Sequence, residues 1–216
     1  MFLPNPGVLA AGVISVAIGQ AMWTTPGQHL FVVPDGVTSI SAVCIGKGGD
    51  ANTRSGNGGA LAWRNAIPVT PGETLTLWVS SGETSVYRGG LRLVGALDGN
   101  ASTTPATVLA GSGYAGGLGA SAGSVNQRNG GGAGGYGGAG GAASTESSGY
   151  GGSGSSPYGG SGPGGAAGAN TPYLDGGMYG GGAGSSRGAY GIGGPGCIRI
   201  IWGPDRAFPN TNTGDL

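Results

Sequence analysis

The sequence predicts a mainly β protein: a small antiparallel β-sandwich joined to a glycine-rich region of packed polyglycine or polyproline-II helices. Short runs of alternating apolar and polar residues, separated by turn signals, predict the sandwich. The glycine-rich region is predicted by 55 glycines among 216 residues, most of them between residues 111 and 196. Residues 131–142 read GGAGGYGGAGGA. This three-residue period matches the threefold polyproline-II helix and neither an α-helix nor a strand.

The first region, residues 1–22, is apolar and contains no acidic or basic side chain. It lacks the basic start of a signal peptide, and its apolar run is too short to cross a bilayer. We interpret it as an attachment arm. Exposed apolar patches favour association, so we expect Val13, Ile14, Val16 and Ile18 to be buried against another chain or a second copy of this one. The alternative is that the segment adds an edge strand to its own sheet.

Residues 23–110 form the predicted β-rich domain. Turn signals occur at Pro26-Gly27, at Pro34-Asp35-Gly36 and at Pro71-Gly72. The alternation between such signals predicts short strands over 30–33, 38–45, 60–67, 74–79, 85–87, 91–97 and 106–109. Several short strands with closely spaced turns are typical of a small sandwich.

Residues 111–196 form the predicted polyglycine-II region with loops. A polyproline-II strand makes no internal hydrogen bonds, so its buried N–H and C=O groups must pair with neighbouring strands. Residues 197–216 are predicted to be a closing strand and an extended tail. Ile198, Ile200 and Trp202 alternate with Cys197, Arg199 and Ile201. We expect this strand to return to the sheet of the β-rich domain, with Ile198, Ile200 and Trp202 on one face.

Composition and residue types argue against most chemical functions. Charged residues are 8% of the chain, and basic and acidic residues are equal in number, so no basic surface for nucleic acid is expected. His29 is the sole histidine, which excludes metal sites built on several histidines. The acids and serines form no recognisable catalytic arrangement. We therefore expect a protein that is not an enzyme, with no catalytic residues, no cofactor, no metal, no nucleic-acid partner and no membrane insertion.

The two cysteines, Cys44 and Cys197, fall within apolar runs. We interpret them as small buried hydrophobic residues. A disulfide between them is left open, because the chain is not dense in cysteine.

The side chains left for recognition are aromatic and polar residues displayed on glycine. Tyrosine at a strand junction is a structural spacer, whereas tyrosine at a loop tip is binding surface, as in antibody loops. Both alternatives stay open for these residues. The candidate binding residues are Tyr136, Glu146, Tyr150, Tyr158, Tyr173 and Tyr179.

Two motifs resemble parts of a known group of proteins. The opening WTTPG at Trp23 and FVVPDGVTSI at Phe31 resemble the start of the glycine-rich domain in phage tail-fibre and other virion proteins. The closing IRIIWGPDRAFPNTNT, from Ile198, is similar to the C-terminal end of such proteins in tailed phages. The resemblance covers most of the chain from Trp23 onward, and the closing motif is the more specific of the two.

The resemblance implies a virion protein, located in a tail fibre or on the particle surface. In the tip adhesins of T-even-type phages, polyglycine-II helices form a sandwich whose variable loops contact host-surface receptors. Those adhesins carry a longer attachment domain than the residues before Trp23. The resemblance therefore implies either receptor recognition or a structural role in a capsid, fibre or tail. The implied partners are other virion proteins and a host-surface receptor, and a homo-oligomer is among the expected states.

Overall fold

The computed structural model describes residues 18–120, 127–143, 155, 175–186 and 189–209. Within these ranges the protein is all-β and contains no helix. Two antiparallel sheets of five strands each pack face to face among these residues, which confirms the predicted fold class.

Sheet 1 has the strand order β1-β13-β3-β4-β9, and sheet 2 has the order β2-β5-β6-β7-β8. The strands of sheet 1 are β1 Gly19–Trp23, β3 Ser39–Ile45, β4 Leu61–Pro68, β9 Ser112–Tyr114 and β13 Cys197–Trp202. The strands of sheet 2 are β2 Gly27–Val32, β5 Thr74–Val79, β6 Glu83–Arg88, β7 Leu91–Leu97 and β8 Val108–Ala110. A small third sheet contains β10 Gln127–Arg128, β11 Ser185–Ser186 and β12 Ala189–Tyr190.

The predicted return of the closing strand is confirmed. β13 lies between β1 and β3 in sheet 1, with Ile198 opposite Cys44 and Ile200 opposite Ala42. Ile198 and Ile200 are fully buried between the sheets, and Trp202 packs against the same core. The predicted strands over 74–79 and 91–97 coincide with β5 and β7. β9 was not predicted, because its three residues SGY carry too little alternation.

The central strands of sheet 1 are buried on both faces. Between the sheets, Ile40, Leu75 and Leu77 belong to the main core. On the outer face of sheet 1, a second cluster contains Val43, Ile45, Leu61, Tyr136, Cys197, Ile201 and Phe208. A strand covered on both sides reads as a nearly continuous apolar run, which explains the sequence SISAVCI of β3.

The cysteines contribute to opposite faces of sheet 1. Cys44 lies in the core between the sheets, and Cys197 lies in the outer cluster. Both thiols are free and fully buried. Burial raises the pKa of Cys197 to about 12 and also raises the pKa of Cys44. They act as small buried hydrophobic residues, as predicted.

The predicted attachment arm overlaps the first strand. Residues Gly19 to Trp23 pair with β13 over their whole length and form the edge of sheet 1. This part of the region is therefore the edge strand that the sequence offered as the alternative. Ile18 precedes it and is 59% exposed, so its burial against another chain stays a prediction. Val13, Ile14 and Val16 lie outside the described residues.

Outside the sheets, glycine-rich segments pack side by side through their backbones. We call this set the glycine bundle: residues 46–51, 55–60, 97–100, 115–120, 129–134, 138–143, 180–184 and 191–195. Backbone hydrogen bonds join segments from both sides of the predicted boundary at residue 110, as between Gly58 N–H and the Gly117 carbonyl, 2.9 Å apart. The loop between β3 and β4 is thus part of the same bundle as the later glycine-rich stretch.

Hydrogen bonding along residues 55–60 repeats every three residues. Donors three residues apart reach the same neighbouring segment, and the carbonyls follow the same rule. The N–H groups of Gly56 and Gly59 donate to the Ala183 and Gly180 carbonyls of segment 180–184. The N–H groups of Asn57 and Ala60 donate to the Asn100 and Leu97 carbonyls of segment 97–100, and Gly58 N–H donates to the Gly117 carbonyl. The accepted bonds are Gly131 to Gly56, Gly134 to Gly59, Gly49 to Asn57 and Gly46 to Ala60. This is the threefold pattern of a polyproline-II-type helix surrounded by others.

The stretch 131–142 is not the single continuous strand that its triplet period predicts. The chain bends at residues 136–138 and returns alongside itself. Gly132 N–H donates to the Gly141 carbonyl at 2.8 Å, and Gly135 N–H donates to the Gly138 carbonyl at 3.0 Å. Two antiparallel segments result. The physical reason is Tyr136, whose ring is buried in the outer cluster of sheet 1 and draws the bend onto the sheet.

A buried carboxylate connects the bundle to sheet 2. Asp98 is 9% exposed and accepts hydrogen bonds from Lys47 N–H at 2.8 Å, Gly82 N–H at 3.0 Å and the Thr84 hydroxyl at 3.1 Å. Burial raises the pKa of Asp98, and the three hydrogen bonds oppose that rise. One side chain thus holds the start of segment 46–51 against the turn between β5 and β6.

Substitution of Gly58 by alanine is expected to destabilise the fold by about 1–3 kcal/mol or more, as overpacking does. The new Cβ would lie 1.9 Å from the Gly132 carbonyl oxygen, far inside contact distance. Gly90→Ala is the matched control, because a Cβ there meets nothing within 4 Å. Urea denaturation should shift for Gly58→Ala and stay within about 0.5 kcal/mol of the parent for Gly90→Ala. Equal stabilities of the two variants would contradict close backbone packing.

Replacement of Asp98 by asparagine is expected to destabilise the fold by about 1–3 kcal/mol, because one buried donor loses its acceptor. The raised pKa also determines the direction in which the stability contribution of Asp98 changes with pH. The aspartate contributes most below its unfolded pKa of about 4, and this contribution falls as the pH rises through the raised folded pKa. The stability difference between the parent and Asp98→Asn should therefore be largest near about pH 4 and shrink as the pH rises above it. A difference that stays constant as the pH rises would contradict this account.

Candidate interaction surface at the distal end of the glycine bundle

The glycine bundle has one end at the sandwich and one end away from it. Segment 46–51 leaves the end of β3, and segment 55–60 returns into β4. Segment 97–100 continues β7, segment 115–120 follows β9, and segment 191–195 leads into β13. The opposite ends of these segments form what we call the distal end, at which the turn 51–54 lies.

Side chains and short strands tie the distal end together. The Arg128 guanidinium donates to the Thr53 carbonyl, and Ala51 N–H donates to the Gly191 carbonyl at 3.1 Å. β11 pairs with both β10 and β12, which adds a small sheet to this end of the bundle. The backbone here is therefore positioned by hydrogen bonds on several sides.

Asn57 links the centre of the bundle to a loop at the distal end. Its side chain is fully buried and donates to the Thr104 carbonyl at 2.8 Å and to the Ser102 carbonyl at 3.2 Å. Its side-chain oxygen accepts a hydrogen bond from Gly119 N–H at 2.8 Å. A single amide thus fixes the loop 102–104 and the segment 115–120 relative to each other.

A groove of about 270 Å³ lies at the distal end. It is lined by Arg54, Ser102, Thr103, Leu118, Gly119, Ala120, Ala142 and Ala143. Arg54 forms no ion pair with any acid among the described residues. The groove therefore combines a small apolar floor with two hydroxyl groups and one guanidinium group.

Three large apolar side chains are exposed on the flank of the bundle. Met178 and Ile192 are each 63% exposed, and Tyr190 is 56% exposed. Their segments are neighbours: Gly176 N–H donates to the Ile192 carbonyl at 2.8 Å, and the Asp175 carboxylate accepts from Ile192 N–H at 2.7 Å. We call the groove, Tyr190 and Ile192 the distal surface, because Tyr190 lies in β12 of the small sheet and Gly191 bonds to Ala51 at the distal turn. Met178 lies nearer the sandwich, next to Tyr179, and is not part of it. Exposed apolar side chains on a fixed backbone are suited to contact with another molecule.

Tyr136 is not part of this surface, so its assignment as a binding residue is corrected. It is 7% exposed and lies in the outer cluster of sheet 1. Its ring stacks on Phe208 at a centroid distance of 6.0 Å and contacts Trp63 at 5.2 Å. Burial raises the pKa of its hydroxyl. Its role is the structural one that the sequence left open for the tyrosines.

Tyr179 is half-buried and packs against the same outer cluster as Tyr136. Its backbone N–H and C=O pair with Ser155 at 3.2 and 2.7 Å. The other predicted binding residues, Glu146, Tyr150, Tyr158 and Tyr173, lie outside the described residues. Ala143, the last described residue before Glu146, bonds to the Leu118 carbonyl at the distal end, 2.8 Å away.

Sequence reasoning missed several residues of this surface. Arg54 and Ile192 were not considered, and Tyr190 was weighed with the other tyrosines of the glycine-rich region but was not chosen as a binding residue. Asn57 was also missed. The segment SGNGGA at residues 55–60 carries a weak signal, since half of its residues are glycine and it ends in the triplet GGA that recurs later.

The described residues contain neither a group of side chains suited to a metal ion nor a membrane-spanning helix. Within ranges 18–120, 127–143, 175–186 and 189–209, no three acidic, histidine or cysteine side chains are grouped closely enough to hold a metal ion. Among the same residues, no helix has the length and apolar character needed to span a membrane. What the distal surface can do chemically is bind, through one guanidinium, hydroxyl groups and apolar side chains.

Comparison with known proteins assigns no family. No protein-family model matches the sequence. No curated protein matches it either. The functional argument therefore depends on the geometry of the distal surface and on the two sequence motifs.

Proposed function

We propose that this protein is a non-enzymatic component of a tailed-phage virion that recognises a host-surface receptor through the distal surface of its glycine bundle. The observation that carries the proposal is the exposure of Tyr190 and Ile192 on a backbone held by hydrogen bonds. Aromatic and large apolar anchors on a fixed scaffold are the groups that contribute most to binding.

The architecture supports recognition in a second way. Binding groups lose less entropy on complex formation when their backbone is already fixed. The bundle supplies such a backbone mainly through hydrogen bonds between its own N–H and C=O groups. Larger side chains at the distal surface can then vary without disturbing the packing beneath them.

The proposal predicts that the full-length protein binds intact cells of a susceptible bacterium and that the binding depends on Tyr190 and Ile192. Fluorescently labelled protein is incubated with a panel of bacterial strains, and bound fluorescence is measured over a range of concentrations. The double variant Tyr190→Ala, Ile192→Ala should weaken binding by about tenfold or more, since anchor residues typically contribute at least about 2 kcal/mol.

Leu91→Ala is the matched control, because Leu91 is 62% exposed but lies on the sandwich. Its binding should equal that of the parent. Failure of the parent to bind any strain, or equal binding by the parent and the double variant, would contradict receptor recognition by this surface.

A structural virion component is the second candidate. The observation that favours it is the exposure of Ile18 and Met22, at 59% and 41%, beside a first region without acidic or basic residues. In this case the partners are other virion proteins. If this candidate is correct, the variant Met22→Lys should fail to be incorporated into particles. The Tyr190→Ala, Ile192→Ala variant should be incorporated normally, and particles that carry it should adsorb to cells as the parent particles do.

A further inference from the structure

The two sides of the sandwich end in different kinds of edge strand. On one side, β8 and β9 are three residues long, and the pairing of β7 with β8 contains an irregularity. On the other side, β1 and β2 are five and six residues long, and each pairs with its neighbour in an unbroken register. Short strands and bulges are ways in which proteins prevent unwanted edge pairing. Of the two sides of the sandwich, only the β8–β9 side has these features.

The β1–β2 side also lacks charge. Residues 18–33 contain no aspartate, glutamate, lysine or arginine. Four large apolar side chains are exposed there: Ile18 at 59%, Met22 at 41%, Leu30 at 62% and Val32 at 58%. A charged residue, especially lysine, is the usual means of keeping an exposed edge from pairing. The absence of charged residues from residues 18–33 therefore favours an edge that is covered by a partner.

The backbone of β2 presents free donors at this edge. Val33 N–H points toward β5, since it donates to the Glu73 carbonyl at 2.8 Å. Successive N–H groups of a strand alternate in direction, so the N–H groups of Leu30 and Val32 point away from β5. β2 has no neighbour on that outer side among the described residues. The same holds for β1 in sheet 1.

The two open edges lie next to each other. Trp23 at the end of β1 contacts Phe31 of β2, with ring centroids 5.8 Å apart, and Phe31 contacts Trp202 of β13 at 5.7 Å. These rings close the core at this side of the sandwich. A partner that covers the side fully must therefore offer two strands at the spacing of the two sheets.

We infer that the partner is a second copy of this chain, joined edge to edge so that both sheets continue across the interface. A twofold axis perpendicular to the sheets places β1 antiparallel to β1 of the other copy and β2 antiparallel to its equivalent. A single extended peptide completes one edge only, whereas a second copy supplies both edges at the correct spacing. Twofold dimers with such self-complementary surfaces are the commonest protein oligomers.

This interface uses no residue of the distal surface, so the inference stands independently of the proposed function. Where both hold, one dimer carries two distal surfaces. Two linked binding sites strengthen attachment to a surface that displays many receptors.

The test is the mass of the full-length protein in solution, measured by sedimentation velocity over a wide range of concentrations. The expected species has twice the 20.5 kDa mass of one chain. Leu30→Lys places two like charges near each other across the interface, and Met22→Lys does the same in the other sheet. Like-charge contacts are strongly unfavourable at an interface, so each variant should raise the dimer dissociation constant by at least about tenfold.

Leu91→Lys is the matched control, since Leu91 is as exposed as Leu30 but lies on an interior strand of sheet 2. It should remain dimeric. Circular dichroism melts identify any variant that fails to fold. If one lysine variant fails to fold, the other still tests the interface, because Met22 lies in sheet 1 and Leu30 lies in sheet 2. A parent that is monomeric at all concentrations, as expected if residues 1–17 or a different protein cover this side, would overturn the inference. So would a dimer unaffected by both lysine variants.

Discussion

The close approach of backbones around residues 55–60 is the constraint on which the rest of the structure depends. This segment bonds to five neighbouring segments, and a Cβ on Gly56, Gly58 or Gly59 would lie 1.8–1.9 Å from a carbonyl oxygen of a neighbour. The segment is also the connection from β3 to β4, so the sandwich fixes its position. The surrounding segments are then placed by hydrogen bonds to it.

Order in such a bundle has a large entropic cost, because glycine loses more conformational freedom than any other residue. Side-chain contacts where the bundle meets the sandwich offset part of this entropic cost. Tyr136 inserts into an apolar cluster on sheet 1, and Asp98 accepts three hydrogen bonds from two separate parts of the chain, at Lys47 and at residues 82–84. At the distal end, the Asn57 side chain fixes the loop 102–104 and the segment 115–120 by hydrogen bonds. The surface proposed for recognition is thus held by contacts that begin in the sandwich.

Most strands of the sandwich were predictable from the sequence, whereas β9 and the hydrogen-bond partners in the glycine bundle were not. β5 alternates in burial along TLTLWV, so its position follows from the pattern. A glycine run has no side chains to set its register, so nothing in residues 131–142 indicates which segment each N–H will reach. The bend at Tyr136 was hidden for the same reason. Burial of its ring could be expected only once β3 was known to be covered on both faces.

Amide hydrogen exchange of individual glycines in the full-length protein tests the backbone packing most directly. The account predicts that the N–H groups of Gly56, Gly58 and Gly59 exchange as slowly as those of the central strand β3, because both open only when the whole fold opens. Exchange of these three glycines at the rate of an unstructured peptide, with β3 still protected, would contradict the central role of this segment.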